Sequence, residues 1–288
     1  MNKIYAFVTT YYPDKIVEKN IKKIAEQVYK TVVCDNSPHN NLFIDQENII
    51  YITNQKNLGL SKAFNKALEY IGTEISKDDF VIFFDQDSAI SAGYIQKLCN
   101  EYEKIENINP NIGCLGPVFF NTSNQKLESP KIKTKITDNS YVVKNIITSS
   151  MIMKYKNLKK TNFWNEKIFL DLADWDLCWR LEKEGLICAI TNKVILHHSV
   201  GSGEKRIGFL HLRVGQPFRE YYQTRDALYL LKENYVPLKM KIRLIANITV
   251  RPIIHCIFLD KRRERLKYIR QGFIDYSKNR HDEMRKYS

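Results

Sequence analysis

The sequence predicts an α/β protein: a mixed, mostly parallel sheet flanked by helices, followed by a basic helical extension. Three observations predict it. Short apolar runs alternate with segments of helical periodicity, polar turns follow the first strands, and the positive charge is concentrated at the C-terminal end. Residues 232–288 hold fifteen Lys and Arg against six Asp and Glu, nine of the thirteen excess positive charges. That asymmetry calls for an anionic partner, a membrane surface or a nucleic acid.

Residues 3–9 form a short apolar strand that soon turns polar, which reads as a strand rather than a signal peptide; Tyr12, Pro13 and Asp14 end it in a turn. Helical spacing of apolar residues follows over 16–28, then a second buried strand at 31–34 that closes on Asp35, Asn36, Ser37 and Pro38. A third strand at 49–52 precedes NQKNLGLSKAFNKALEYI, in which Leu60, Ala63, Phe64, Ala67 and Leu68 mark one helix face. The chain is organised around the next stretch, FVIFFDQDS at 80–88. Its five leading hydrophobic residues read as a strand buried on both faces. Strand alternation puts Asp85 and Asp87 on one side, facing the crevice at the C-terminal ends of parallel strands. A divalent cation shared with a diphosphate would relieve their repulsion. The plainer alternative is that Asp85 and Ser88 cap the following helix.

A helix at 94–105, a strand at IGCLGPVFFN and a polar surface excursion over 121–140 come next. The apolar run at 142–153 is interrupted by Thr148, Ser149 and Ser150, which either line an acceptor pocket or bend a strand. IFLDLADWDLCWRLEKEGL, at 168–186, places Asp171, Asp174 and Asp176 ahead of a helix. Acids suit a helix start, but three exceed what capping requires, and one could act as a general base. His197 and His198 follow a short strand at 194–196; adjacent strand residues face opposite ways, so only one of them can face the crevice, either as a metal ligand or as a structural strand-end residue. Residues 218–234 predict a further helix bearing Tyr222, and from Pro237 apolar and basic residues alternate in one or two amphipathic helices, densest at KRRERLK. These suit an anionic membrane surface or a solvated face closing over the domain. No helix-turn-helix or zinc pattern accompanies the charge, so nucleic acid is not expected as a partner.

The six cysteines are scattered without a C-x-x-C pair and read as small core residues in a reducing compartment. No G-x-G-x-x-G or P-loop pattern occurs, so any nucleotide phosphates would be held by side chains and a metal. The longest apolar stretch, 244–259, is broken by Asn247, Arg251, Pro252 and His255 and does not predict a membrane span.

In sequence, TTYYPD, VVCDNS, NLGLSKAFNKAL, FFDQDS, FLDLADWDLCWRLEKEG, HHSVG and REYYQTRDALYLL together resemble bacterial glycosyltransferases of family 2, and within them rhamnosyltransferases of surface-polysaccharide synthesis. The resemblance covers roughly residues 3–232. It implies a GT-A, Rossmann-like fold over 1–215, with a nucleotide-binding half at about 1–90 and an acceptor half at about 91–215, and a membrane-associating helical region at 216–288. It also implies inverting transfer from a nucleotide sugar with Mg²⁺ or Mn²⁺. The sugar would be L-rhamnose from its dTDP donor, or alternatively galactose, glucose or galactofuranose from UDP. A lipid-linked saccharide is the expected acceptor, in capsule, O-antigen or cell-wall synthesis at the cytoplasmic face of the membrane, and a homodimer is a further option. A catalytically silent carbohydrate- or lipid-binding relative is the alternative of another class.

Carried over by residue, the resemblance implies donor contacts at Thr10, Tyr11, Asp35, Asn57, Gly59, Lys62, Asp85, Arg219 and Arg225. Arg225 could equally be a scaffold residue paired with a carboxylate. Metal ligands would be Asp85, Asp87 and His198, with His197 as the alternative. Asp174 would be the general base, with Asp171 and Asp176 as second choices, and Ser149, Ser150, Trp175 and Tyr222 would face the acceptor. Two departures stand out: Ala173 precedes Asp174 where relatives often carry an acid, and Thr148-Ser149-Ser150 replaces a Thr-Ser-Gly.

Overall fold

The computed structural model describes residues 2–39, 42, 44, 46–121, 125–198, 204–207, 210–213 and 215–284, the side chains of 198, 204–207 and 210–213 excepted. The first part alternates as expected: β1 (Ile4–Thr10), α1 (Lys15–Ala25), β2 (Lys30–Asp35), β3 (Ile49–Thr53), α2 (Gly59–Ile71) and β4 (Phe80–Asp85). Asp14 caps α1, its Oδ1 accepting from the N–H groups of Ile16 and Val17 at 2.9 and 3.0 Å. Strands β3, β2, β1 and β4 are parallel neighbours, in a register that sets Thr10 beside Asp35 and Thr9 beside Asp85.

After α3 (Tyr94–Ile108) come β5 (Ile112–Asn121), β6 (Lys126–Glu128), β7 (Ile132–Lys135), β8 (Ser140–Val143), β9 (Met151–Lys154), α4 (Tyr155–Lys160), α5 (Ala173–Lys183) and β10 (Ile187–His198). The sheet runs β3-β2-β1-β4-β9-β5-β10-β8-β7, with β6 beside β5. It is mixed: β10 pairs parallel with β5, while β9 lies antiparallel between β4 and β5. The apolar run expected at 142–153 is thus two strands with a break at the serines. Ser150 ends the break at φ +65°, the left-handed region that favours glycine, where the resemblance expected one.

Strand alternation divides the core between the sheet's two faces. Val81 and Phe83 pack with Phe64, Trp164 and Leu177, whereas Phe80, Ile82 and Phe84 pack with Ile21, Ile95 and Leu98. A short ribbon, β11 (Glu204–Ile207) with β12 (Leu210–Arg213), precedes three helices: α6 (Arg219–Lys232), α7 (Leu238–Phe258) and α8 (Arg262–Ser277). Ala227 and Leu230 of α6 and Leu244 of α7 join the first of the two core clusters. All six cysteines are free and five are buried, in keeping with a core role.

Candidate active site

The parallel strands end along one edge, and a cavity of about 580 Å³ opens there. Thr9, Thr10 and Tyr11 close β1, Asn36 follows β2, Asn57, Gly59 and Leu60 begin α2, and Asp85 and Gln86 end β4. Facing them are Phe169 and Leu170 ahead of α5, and Phe218, Arg219 and Tyr222 at the start of α6. Tyr268 of α8, with Glu283 and Met284 beyond it, adds a further wall.

Local chemistry sets these positions. Asn57 Oδ1 accepts from the Gly59 N–H at 3.0 Å, and the Gly59 carbonyl accepts from Asn36 Nδ2 at 3.2 Å. Gly59 has φ +76°, and a Cβ there would lie 2.6 Å from the Phe169 carbonyl oxygen. That carbonyl accepts from the Leu60 N–H at 2.7 Å, so the missing side chain is what lets α2 begin against the loop before α5. Phe169 stacks on Tyr222 with ring centroids 4.4 Å apart, which ties the loop to α6. Gln86 Oε1 accepts from the Tyr11 N–H at 2.7 Å and joins the ends of β1 and β4.

The two aspartates do not share a strand face. β4 stops at Asp85, whose carbonyl accepts from the Ser88 N–H at 3.1 Å, so Gln86 and Asp87 lie in a turn. Asp85 lines the cavity and Asp87 is exposed beside it in sequence. Ser149 is buried and donates to Asp85 Oδ2 at 3.1 Å, with the Ser88 hydroxyl 2.7 Å away. Ser149 therefore supports Asp85 instead of lining an acceptor pocket. Ser150 is equally buried, its N–H bound to the Phe83 carbonyl at 2.7 Å, and belongs to the strand bend.

Asp174 lies half-buried in the first turn of α5, its Oδ1 accepting from the Trp175 N–H at 2.8 Å. Burial pushes its carboxyl up to about 8 against that hydrogen bond, and the negative charges of Asp85 and Asp171 push the same way. Asp171 is held from α6: Gln223 Nε2 donates to it at 2.8 Å and Arg219 Nη1 lies 3.3 Å away. Asp176 turns the other way. It is fully buried, accepts from the Tyr235 hydroxyl at 2.6 Å and Asn165 Nδ2 at 3.1 Å, and pairs with Arg180 at 2.7 Å, so packing consumes it and leaves it unsuited to the base role.

Of the residues expected to contact donor or acceptor, Thr10, Tyr11, Asn57, Gly59, Asp85, Arg219 and Tyr222 line the cavity. Asp35, Lys62 and Arg225 do not. The Asp35 carboxylate is buried and accepts from Ser37 Oγ at 2.6 Å and the Tyr51 hydroxyl at 2.5 Å; Asn36 takes the lining position beside it. Lys62 pairs with Asp282 at 2.7 Å. Arg225 is fully buried, paired with Asp226 at 2.8 Å and donating to the Asp282 carbonyl at 2.6 Å, which makes it the scaffold of its two alternatives. Trp175 faces Arg243 of α7, whose guanidinium lies 4.9 Å from its ring, and does not line the cavity. At the end of β10, His197 bridges to Ala89, and its exposed ring lies 5.5 Å from that of Phe120. The His198 side chain lies outside the described residues. Asn36, Gln86, Phe169, Phe218, Tyr268, Glu283 and Met284 were not singled out by sequence. Asn36, Gln86 and Phe218 adjoin expected residues and Phe169 opens the motif FLDLADWDLCWRLEKEG; the others had no local signal.

The oxygen donors at this edge suit a hard divalent cation, and the upward push on Asp174 from two neighbouring carboxylates marks negative charge in excess there. Among the described residues, three potential ligands approach closely enough to share an ion at Cys114, Cys178 and Cys188, buried in the core and not on the cavity.

The sequence profile of Glycosyl transferase family 2 matches residues 5–161. The dTDP-rhamnosyl transferase RfbF of Shigella flexneri is 27% identical over 289 residues, covering 95% of this chain and 94% of its own. Among solved structures, S. aureus TarS 1–349 superposes with a TM-score of 0.56 at 14% identity, over 95% of this chain and 80% of that one. GalNAc-T7, crystallised with UDP, GalNAc and Mn²⁺, gives 0.53 at 8% identity, over 86% of this chain and 54% of that one. At such identities the two structures speak to the fold alone, and they share it.

Proposed function

The chain belongs to glycosyl transferase family 2 and is a glycosyltransferase, and on that premise we propose that it moves L-rhamnose from a dTDP donor, with inversion, onto a lipid-linked saccharide. The observation that carries the reading is Asp174, held half-buried at the start of α5 and close enough to Asp85 at the end of β4 for each charge to act on the other. The relative from Shigella flexneri supports the choice of sugar, and the exposed apolar and basic face of α7 supports an acceptor at a membrane.

In this reading the nucleotide lies across the ends of β1 and β2 and the start of α2, against Thr10, Tyr11, Asn36 and Asn57. Arg219 faces the diphosphate, and Asp171 orients Arg219 from the segment before α5. Asp85 and Asp87, with His198, would hold Mg²⁺ or Mn²⁺. Such an ion would neutralise the charge of the departing diphosphate. Asp174 takes the proton from the acceptor hydroxyl as that oxygen attacks the anomeric carbon from the face opposite the leaving group. Compensating the site's negative charge removes the upward push of Asp85 and Asp171, so the Asp174 carboxyl ionises and can accept the proton.

The test is Asp174→Asn, which keeps the side chain's shape and removes its basicity. Turnover should fall by about two to four orders of magnitude while nucleotide binding, read by thermal shift with Mn²⁺, is retained. Loss of nucleotide binding together with turnover would sink the assignment. The same thermal-shift screen across dTDP- and UDP-sugars distinguishes rhamnose from galactose, glucose and galactofuranose donors.

A further inference from the structure

Glu283 and Met284 line the cavity, and the segment 280–284 that carries them is built in by packing and by charge. The Arg280 carbonyl accepts from the Tyr229 hydroxyl at 3.1 Å, and its guanidinium pairs with Asp275 at 3.0 Å. The His281 ring lies 4.4 Å from that of Tyr229. Buried Arg225 donates to the Asp282 carbonyl at 2.6 Å, while the Asp282 carboxylate meets Lys62 Nζ at 2.7 Å, 220 residues away in the chain. The Met284 N–H donates to the Tyr222 hydroxyl at 3.2 Å. Glu283 lies between the two walls: burial raises the phenols of Tyr11 on one side and Tyr222 on the other, and the Glu283 charge raises both further.

Glu283 thus stands in the cavity wall, and Asp282 next to it in the chain covers Lys62, three residues along α2 from the lining Gly59. Lys62, a cation the resemblance assigns to the donor, is engaged by a carboxylate whose own side chain is 83% exposed. An ion pair so open to water is held weakly and is readily exchanged for a more highly charged anion. The backbone anchors of the segment lie on α6 and α8, so the acids can swing aside without disturbing either helix.

We propose that residues 282–284 are an internal competitor of the sugar nucleotide, in which Asp282 occupies Lys62, Glu283 occupies the cavity mouth, and the donor binds by displacing both. The phosphates then take the place of Asp282 on Lys62. This rests on the donor reading above and adds to it a determinant of donor affinity in the C-terminal segment.

The experiment is calorimetric binding of dTDP and of UDP, with Mn²⁺, to the full chain and to Asp282→Asn, Glu283→Gln, their double variant, Lys62→Ala and Lys62→Ala combined with Asp282→Asn. The substitutions keep side-chain shape and leave the backbone anchors in place. The double variant should bind dTDP roughly three- to tenfold more tightly, and the gain should shrink as salt is raised. The Asp282→Asn gain should vanish in a Lys62→Ala background, since the two act as a pair. A segment that only braced the fold would do the opposite, losing affinity and melting temperature together when its acids are neutralised. Wild-type binding left unchanged or weakened in the double variant overturns the proposal alone. Binding of neither dTDP nor UDP to any of the proteins overturns the donor reading, and this proposal with it.

Discussion

Gly59 and Asp174 show how much of the site hangs on single residues. At Gly59 a positive φ and a close carbonyl coincide, so no side chain can be accommodated without moving the loop before α5. Gly59→Ala should cost about 2 kcal/mol or more and weaken nucleotide binding with it, since Asn57, Leu60 and Phe169 are held by the same contacts; a melt and a dTDP titration on the purified variant check both. Asp174 has a folded carboxyl at about 8 against an ordinary value of 3.8. A group raised in this way adds stability that is complete below the unfolded value and lost as pH rises through the folded one. The cation-free protein should therefore lose stability between about pH 4 and 8 at this residue, and Asp174→Asn should remove that loss. Melting curves of both proteins across this range, with and without Mn²⁺, give the answer: the difference should grow with pH and narrow when the cation is added.

At the scale of elements, the three C-terminal helices are joined by one buried charge cluster. Glu220 of α6 accepts from His255 Nδ1 of α7 at 2.5 Å and from Arg265 Nη1 of α8 at 3.1 Å, and Arg265 also donates to the Gly215 carbonyl. Burial raises the Glu220 carboxyl, but His255, Arg251 and Arg265 outweigh it and hold it below its ordinary value. The stability it contributes is present above the unfolded carboxylate value and lost as pH falls through the folded one. Glu220→Gln leaves the buried Arg265 guanidinium without its counter-charge and should cost about 3 kcal/mol. Acid melts of the variant should lack the part of the wild-type transition that this carboxylate causes; an unchanged acid limb would argue that the three helices are held by apolar packing alone. The helices matter to the site because α6 and α8 carry Arg219, Tyr222 and Tyr268 to the cavity.

For the whole molecule, the proposed contact with a membrane turns on α7. Among the described residues no helix is long and apolar enough to cross a membrane. Yet Leu238, Ile242, Ile245, Ile253 and Ile257 recur three, four and eight residues apart and are exposed, while Leu244, Pro252 and His255 of the same helix are buried. An apolar stripe beside the basic run from Lys261 suits an interface more than water. A second copy would bring like charges together, which favours an anionic bilayer as its partner. The full chain should float with anionic vesicles and not with neutral ones, and Ile253→Asp should release it. Equal flotation on both, or a dimer that Ile253→Asp dissociates, would decide for other contacts.

The sequence by itself determined the alternating α/β plan, the buried strand that runs into Asp85, the acid-rich start of α5 and the basic C-terminal helices. Each is a local pattern: side-chain period, run length and turn chemistry are set by neighbours in the chain. Only the tertiary structure decided how these pieces meet. It brought Asp174 within range of the Asp85 charge and stopped β4 before Asp87. It spent Asp176 and Arg225 on packing, and turned Ser149 to the support of Asp85. It also brought Asp282 to Lys62. Two aspartates in a sequence look alike; which one is buried against a partner and which one faces a cavity depends on elements far away in the chain, and no local periodicity records that distance.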